Sequence, residues 1–149
     1  MKHVLPSLID TARKLRDRDA ALLRQSQQVV QQATATMRRL DEFRTDCLQR
    51  SAAGTLGRAD AQSLGDYQRF VARLDQAIAQ QRGEVTRRSD AVRMQQDRLV
   101  HTQQRLLAFE TLSRRYEKQR EARDLRREQS MSDEFAARAL ARFAQEDLA

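Results

Sequence analysis

Apolar residues recur every seventh position on both sides of a glycine-rich stretch near the middle of the chain. After that stretch Leu64, Val71, Ile78, Val85, Val92, Leu99 and Leu106 stand seven residues apart without a miss. Before it Leu8, Leu15, Leu22 and Val29 repeat at the same interval, and Ile9, Leu23, Val30 and Met37 form a neighbouring row one position round. Seven residues are close to two helical turns, so such a comb marks a helix that keeps one stripe against a partner helix. Two adjacent rows make one face, which predicts a wider apolar stripe on the first helix. Between the teeth of the second comb lie Tyr67, Leu74 and Phe109, but also Gln81, Arg88, Gln95 and Thr102, so that seam is expected to be half polar in its middle.

The stretch from Ser51 to Asp66 holds Gly54, Gly57 and Gly65, three of the four glycines. Glycine weakens a helix interior by roughly 1 kcal/mol and reaches conformations other residues avoid, so the chain is expected to turn there, over about Ser51 to Arg58. Asp60 or Ser63 is placed to cap the helix that follows. Reflecting the chain about residue 58 sets residue 43 opposite 73 and residue 40 opposite 76, and brings the two combs to an end together near Leu8 and Leu106. The fold this predicts is all-α, an antiparallel two-helix coiled-coil hairpin whose longer second helix overhangs at the C-terminal end. We expect one domain over 1–149, with helix one at about 7–51, the turn at about 51–60 and helix two at about 61–145. Gly83, one residue off the seam, has no evident reason to be there.

Beyond the combs, Ser113 to Glu128 is charged on every face, with seven basic and four acidic residues. Pairs such as Arg120 and Asp124 support a helix, but one that buries nothing is marginal in water, and this one is expected to fray without a partner. The segment from Met131 to Gln145 regains an apolar face through Met131, Phe135, Ala139 and Phe143, with Leu140 beside it.

Composition narrows the picture further. A chain of 149 residues with five phenylalanines, two tyrosines and no tryptophan has little from which to build a thick core, and a third of it is charged. The single proline, Pro6, sits where a first helical turn tolerates it. The net charge of +7 is spread as +4 over residues 1–50, +2 over 51–110 and +1 over 111–149. Acids are interleaved throughout, which favours solvated helix faces over a phosphate-binding surface, so no nucleic-acid partner is expected. Cys47 is alone, and no stretch resembles a signal peptide or approaches the ~20 apolar residues of a membrane span, so a cytoplasmic protein is expected.

Catalytic chemistry is not legible. His3 and His101 lie on different arms with no ligand beside them at metal-binding spacing, so no metal is expected. Gly54 and Gly57 lack the spacing and the lysine of a phosphate-binding loop. Neighbouring acids such as Asp41 and Glu42 point apart on a helix and form no acid/base pair. No cofactor and no enzymatic activity are expected. What stands out instead is apolar surface near the turn: Leu40, Phe43 and Cys47 on helix one and Phe70, Leu74 and Ala77 on helix two. These six either thicken the core or form a partner-binding patch on an otherwise charged rod.

The chain resembles the FliJ family, small coiled-coil components of the bacterial flagellar type III export apparatus, over nearly its whole length. The resemblance rests on the helix plan, on Asp66-Tyr67-Gln68-Arg69-Phe70 followed by Leu74 and Ala77-Ile78-Ala79-Gln80-Gln81, and on Asp133-Glu134-Phe135-Ala136-Ala137-Arg138. It implies a stalk in the centre of the hexameric export ATPase, one that stimulates the ring, contacts the cytoplasmic domain of the membrane-embedded export gate and handles export chaperones. The implied location is the cytoplasm, peripheral to the inner membrane at the flagellar base. The family's gate-binding surface maps onto Leu40, Phe43, Cys47, Phe70, Leu74 and Ala77. The sequence departs from the family pattern at Cys47, where an aromatic is familiar, and at Gln81, where a histidine can stand. Ring binding is expected from Arg114, Arg115, Arg123, Arg127, Asp133, Glu134, Phe135 and Arg138, together with the start of helix one. Three other readings compete: the equivalent stalk of a virulence injectisome, a basic coiled-coil nucleic-acid binder whose affinity falls steeply with salt, and a purely structural spacer.

Overall fold

The computed structural model describes residues 3–51 and 60–148, and among them there are two helices and no strand. Helix α1 spans Leu5–Arg50, 46 residues, and α2 spans Ala61–Asp147, 87 residues. The fold is an all-α antiparallel two-helix hairpin, as the combs predict. Pro6 falls in the first turn of α1, where its missing N–H leaves no hydrogen bond unmade. At the other end of α1 the Ser51 hydroxyl donates to the Leu48 carbonyl at 2.8 Å, covering one of the acceptors a helix end exposes.

Gly54, Gly57 and the expected turn lie outside the described residues. Gly65 lies inside α2, as the expected second helix from about residue 61 places it, and a Cβ there would meet nothing within 4 Å. The physical reason is upstream. The Asp60 carboxylate accepts from the Ser63 amide at 2.9 Å and its carbonyl accepts from the Leu64 amide at 3.2 Å, so Asp60 is the N-cap and the helix is under way before the glycine is reached. One glycine cannot stop a helix that is already capped and has a seam to bury.

The described helices form two compact units, one of residues 14–103 and one of residues up to Arg13 with those from Gln104 on. In the first unit the antiparallel pairing is read from four contacts. The Gln81 amide donates to the Ala33 carbonyl at 2.9 Å, the Tyr67 hydroxyl donates to the Cys47 carbonyl at 3.2 Å, Arg44 pairs with Asp75, and the Phe43 and Phe70 rings meet edge to face at 6.1 Å. All four agree with a reflection about residue 58 to about one helical turn. On α2 the comb is the seam: Ile78 is 5% exposed, Leu74 is buried, and Val71, Val85, Val92 and Leu99 are half-buried. Leu64 departs from it at 46% exposed.

On α1 the seam is not the wide apolar face the sequence suggests. The most buried row is Asp19 and Ala33, with Ser26, Leu40 and Cys47 half-buried at the same sevenfold spacing. Its companion row holds Leu23, Val30 and Met37 with Arg16 and Arg44. The row of Leu15, Leu22 and Val29 is displaced to one side, half-buried. Small side chains on α1 let the backbones approach, which is why Gln81 can reach the carbonyl of Ala33. Polar seam residues are largely met by backbone: the Thr102 hydroxyl donates to the carbonyls of Leu99 at 3.0 Å and Arg98 at 3.3 Å. Gln95 is the exception, with Oε1 buried and unpartnered. Asp19 is 3% exposed, with Arg18 Nη2 3.6 Å from its carboxylate.

In the second unit Leu5, Ala12 and Leu106 are buried and Arg13 lies 3.6 Å from Glu110. Phe109, Leu112 and Tyr116 are half-buried, and Arg105 stands over the Phe109 ring at 5.7 Å. From Glu117 to Leu148 every residue except Ala139 is exposed.

Candidate partner-binding surfaces

Near the loop end of the 14–103 unit, the sevenfold rows bring the six residues of the expected patch to neighbouring helical turns. Phe43 and Phe70 are 50% and 44% exposed, although each covers part of the other through the edge-to-face contact. Such a geometry sets the positive ring edge against the negative ring face and is worth about 0.5–1.5 kcal/mol beyond the area it buries. Leu40, Cys47 and Ala77 are half-buried, and Leu74 is buried in the seam. The six therefore divide by exposure into two open rings, three residues at the margin and one in the core. Cys47 offers its carbonyl to Tyr67 and is a free thiol.

Charge frames this region in an ordered way. Asp75 accepts from Arg44 Nε, and that hydrogen bond, with the attraction between the two charges, raises the Arg44 guanidinium above the usual arginine value. One heptad from Ala77 on the same side of α2, Glu84 accepts from Arg88 Nε at 2.8 Å and Arg87 Nη2 at 2.6 Å. Those two bonds hold its carboxylate below the usual glutamate range. Glu84 is thus occupied by two arginines of its own helix. An open cleft beside it is lined by Leu40, Ala77, Gly83 and Arg87. A Cβ on Gly83 would meet nothing within 4 Å, so packing within the chain does not require glycine there.

The second expected surface lies on the C-terminal part of α2, in the other unit. Arg114, Arg115, Arg123, Arg127, Asp133, Glu134, Phe135 and Arg138 are all exposed. Arg114 Nη2 donates to the Thr111 hydroxyl at 3.5 Å. Phe135 is 77% and Phe143 67% exposed, and Met131 and Leu140 are equally open. An uncovered run of large apolar side chains on a charged helix is where a partner would gain most from burial. Helix α2 continues through this segment to Asp147.

Among the described residues no group of three or more histidine, cysteine, aspartate or glutamate side chains is arranged to hold a metal ion. No helix among them is long and apolar enough to cross a membrane. The seam polarity at Asp19 and Gln95 was visible in the sequence only for Gln95. Asp19 gives no such signal, because between Leu5 and Leu40 its sevenfold row holds only small and polar residues, Ala12, Ser26 and Ala33 among them.

No curated protein and no solved structure matches the chain. A family model described as flagellar FliJ protein matches residues 1–145. With its two-helix hairpin, the chain belongs to the flagellar FliJ protein family and is a component of the flagellar protein export apparatus.

Proposed function

We propose that the chain is a non-enzymatic stalk that enters the ring of the hexameric export ATPase through the C-terminal part of α2 and the start of α1. In this reading it also links the ring to the cytoplasmic domain of the export gate and to export chaperones. The observation that carries this reading is the uncovered run from Glu117 to Leu148, which ends in the open face of Phe135, Leu140 and Phe143. The arginines from Arg114 to Arg127 would meet acidic or carbonyl-rich loops at the mouth of the ring, and the terminal apolar face would lie deeper. A single asymmetric chain in a ring of identical subunits contacts them unequally, so its binding biases their nucleotide states and speeds the cycle. Deleting the residues after Leu112 is expected to abolish stimulation of ATP hydrolysis while leaving gate binding intact. Equal stimulation by the truncated and full chains overturns the assignment.

Gate binding is supported by the Phe43 and Phe70 rings, which stand half out of the structure. Truncating an aromatic anchor that becomes buried on binding costs roughly 2–4 kcal/mol. Phe70→Ala should therefore weaken affinity for the gate's cytoplasmic domain with a small effect on unfolding. Normal affinity with lost stability would return Phe70 to a purely structural role.

A further inference from the structure

The seam of the 14–103 unit is built on a repeat of seven, and such a repeat admits more than one register. Gln81 with Ala33 and Tyr67 with Cys47 define the register observed, since fourteen residues back along α1 match fourteen forward along α2. Continued by the same interval, it sets Ser26 opposite Arg88 and Asp19 opposite Gln95. Burial agrees, with Asp19 3% exposed and Gln95 Oε1 buried and without a partner. A buried carboxylate thus faces a neutral amide, while the arginine of the same α2 row stands one heptad away, exposed and hydrogen-bonded to Glu84.

A slip of α1 by seven residues toward the start of α2 exchanges these partners. The α2 comb is apolar at every tooth, so it presents the same surface to α1 before and after. In the row beside it Asp19 moves from Gln95 to Arg88, Ser26 meets Gln81 and Ala33 meets Leu74. Glu84 keeps Arg87 when Arg88 leaves it. The slip gives up the hydrogen bonds of Gln81 and Tyr67 and draws Phe43 away from Phe70 to the level of Ser63, so the observed register remains the major one. A slip the other way sets Arg88 against Ala33 and Gln81 against Leu40, and gives Asp19 no cation. Ten residues separate Arg50 from Ala61, against the roughly two to five that suffice to join antiparallel helices, so the connection is long enough for the helices to shift. We propose that this unit has a second register, with α1 displaced by one heptad, about 10 Å, toward the start of α2 and held there by Asp19 on Arg88. Ratchets of one helix past another by whole turns are one form that switching between discrete packings takes. Because the slip separates the two rings, it couples axial displacement of α1 to the aromatic surface near the loop. The proposal does not depend on the stalk reading: it uses neither the C-terminal part of α2 nor a partner.

The test traps each register with a disulfide in the full chain, in which Cys47→Ser removes the native thiol. A disulfide requires Cα atoms about 4.4–6.8 Å apart, and a wrong register adds about 10 Å along the axis, so each cysteine pair reads one register. Three pairs share Gln81→Cys: with Ala33→Cys it reports the observed register, with Ser26→Cys the proposed one and with Leu40→Cys the opposite slip. Closure under oxidised glutathione is followed by mobility on non-reducing gels, in protein dilute enough to exclude linked dimers. The Ala33 pair should close fastest, the Ser26 pair more slowly and the Leu40 pair not at all. Asp19→Asn and Arg88→Gln should each slow closure of the Ser26 pair about tenfold and leave the Ala33 pair unchanged. Failure of the Ser26 pair to close overturns the proposal, as does a rate indifferent to Asp19→Asn and Arg88→Gln. Closure of the Leu40 pair at the same rate as the Ser26 pair also overturns it, since both would then report local opening of the seam.

Discussion

Replacing Ile78 by alanine removes a side chain that is only 5% exposed at the centre of the α2 seam, whereas Leu64, a tooth of the same comb, is 46% exposed. Sequence periodicity makes the two equivalent, and the structure does not. Truncating a buried isoleucine to alanine costs about 2–5 kcal/mol, the spread depending on how far the surroundings relax and whether a void persists. In a seam of two helices the vacated space opens toward solvent, so the void contribution is small and about 2–3 kcal/mol is expected. At Leu64 about half of the side chain is already in water, and alanine's better helix propensity offsets part of the remainder, leaving under about 1 kcal/mol. For a domain of this size the Ile78→Ala loss corresponds to a fall in melting temperature on the order of 5–10 °C. Urea unfolding followed by far-ultraviolet dichroism, with the slope checked for constancy, measures both variants on one scale. Equal destabilisation by Leu64→Ala and Ile78→Ala would show that burial along the comb is uniform, and the seam described here would be in the wrong register.

Two further perturbations probe polar groups. Asp19→Leu replaces a carboxylate that is 3% exposed, with Arg18 at 3.6 Å, by an apolar side chain suited to the seam. It should raise the melting temperature in thermal dichroism, and a fall would show that the carboxylate has a stabilising partner. Asp60→Ala removes the N-cap of α2 and should lower stability at neutral pH. The hydrogen bonds from Ser63 depress the Asp60 carboxyl in the folded chain, so its contribution is complete above the unfolded value of about 4 and is lost as pH falls through the lower folded value. The difference between wild type and Asp60→Ala in urea midpoint should accordingly vanish on acidification, and a difference that persists at low pH would remove the carboxylate from the capping role.

The comb on α2 was legible because large β-branched and leucine side chains at sevens have no other use in a chain this polar. The seam of α1 was not, because the row that approaches closest is marked by small and polar residues, Ala33, Ser26 and Asp19, which a search for apolar periodicity passes over. Close approach selects against size, so the most buried row of a helix is not always its most hydrophobic one. The same logic explains why Gly65 does not interrupt α2. A glycine signals a break only when no cap and no seam commit the chain first, and here Asp60 does so five residues earlier.

The six residues near the loop left two readings open in the sequence, core or contact surface, and the structure separates them by position around the helix. Leu74 lies on the seam and is spent there. Phe43 and Phe70 lie in the flanking rows, where the distance across the pair of helices is bridged only by rings as large as these, and bridging it satisfies one edge and one face while the other half of each ring remains in water. A pair so arranged contributes to folding and still offers apolar surface to a partner. The same two rows continue past the rings as Thr36, Val29, Leu22 and Leu15 on α1 and as Ala77, Glu84, Ala91 and Arg98 on α2. Whatever docks on the rings therefore meets aromatic surface near the loop and a mixed apolar and charged surface farther along. Substitutions at Phe70 and at Leu22 should then affect different partners, or different parts of one partner, and a double substitution whose binding losses add without coupling would place the two sites in separate contacts.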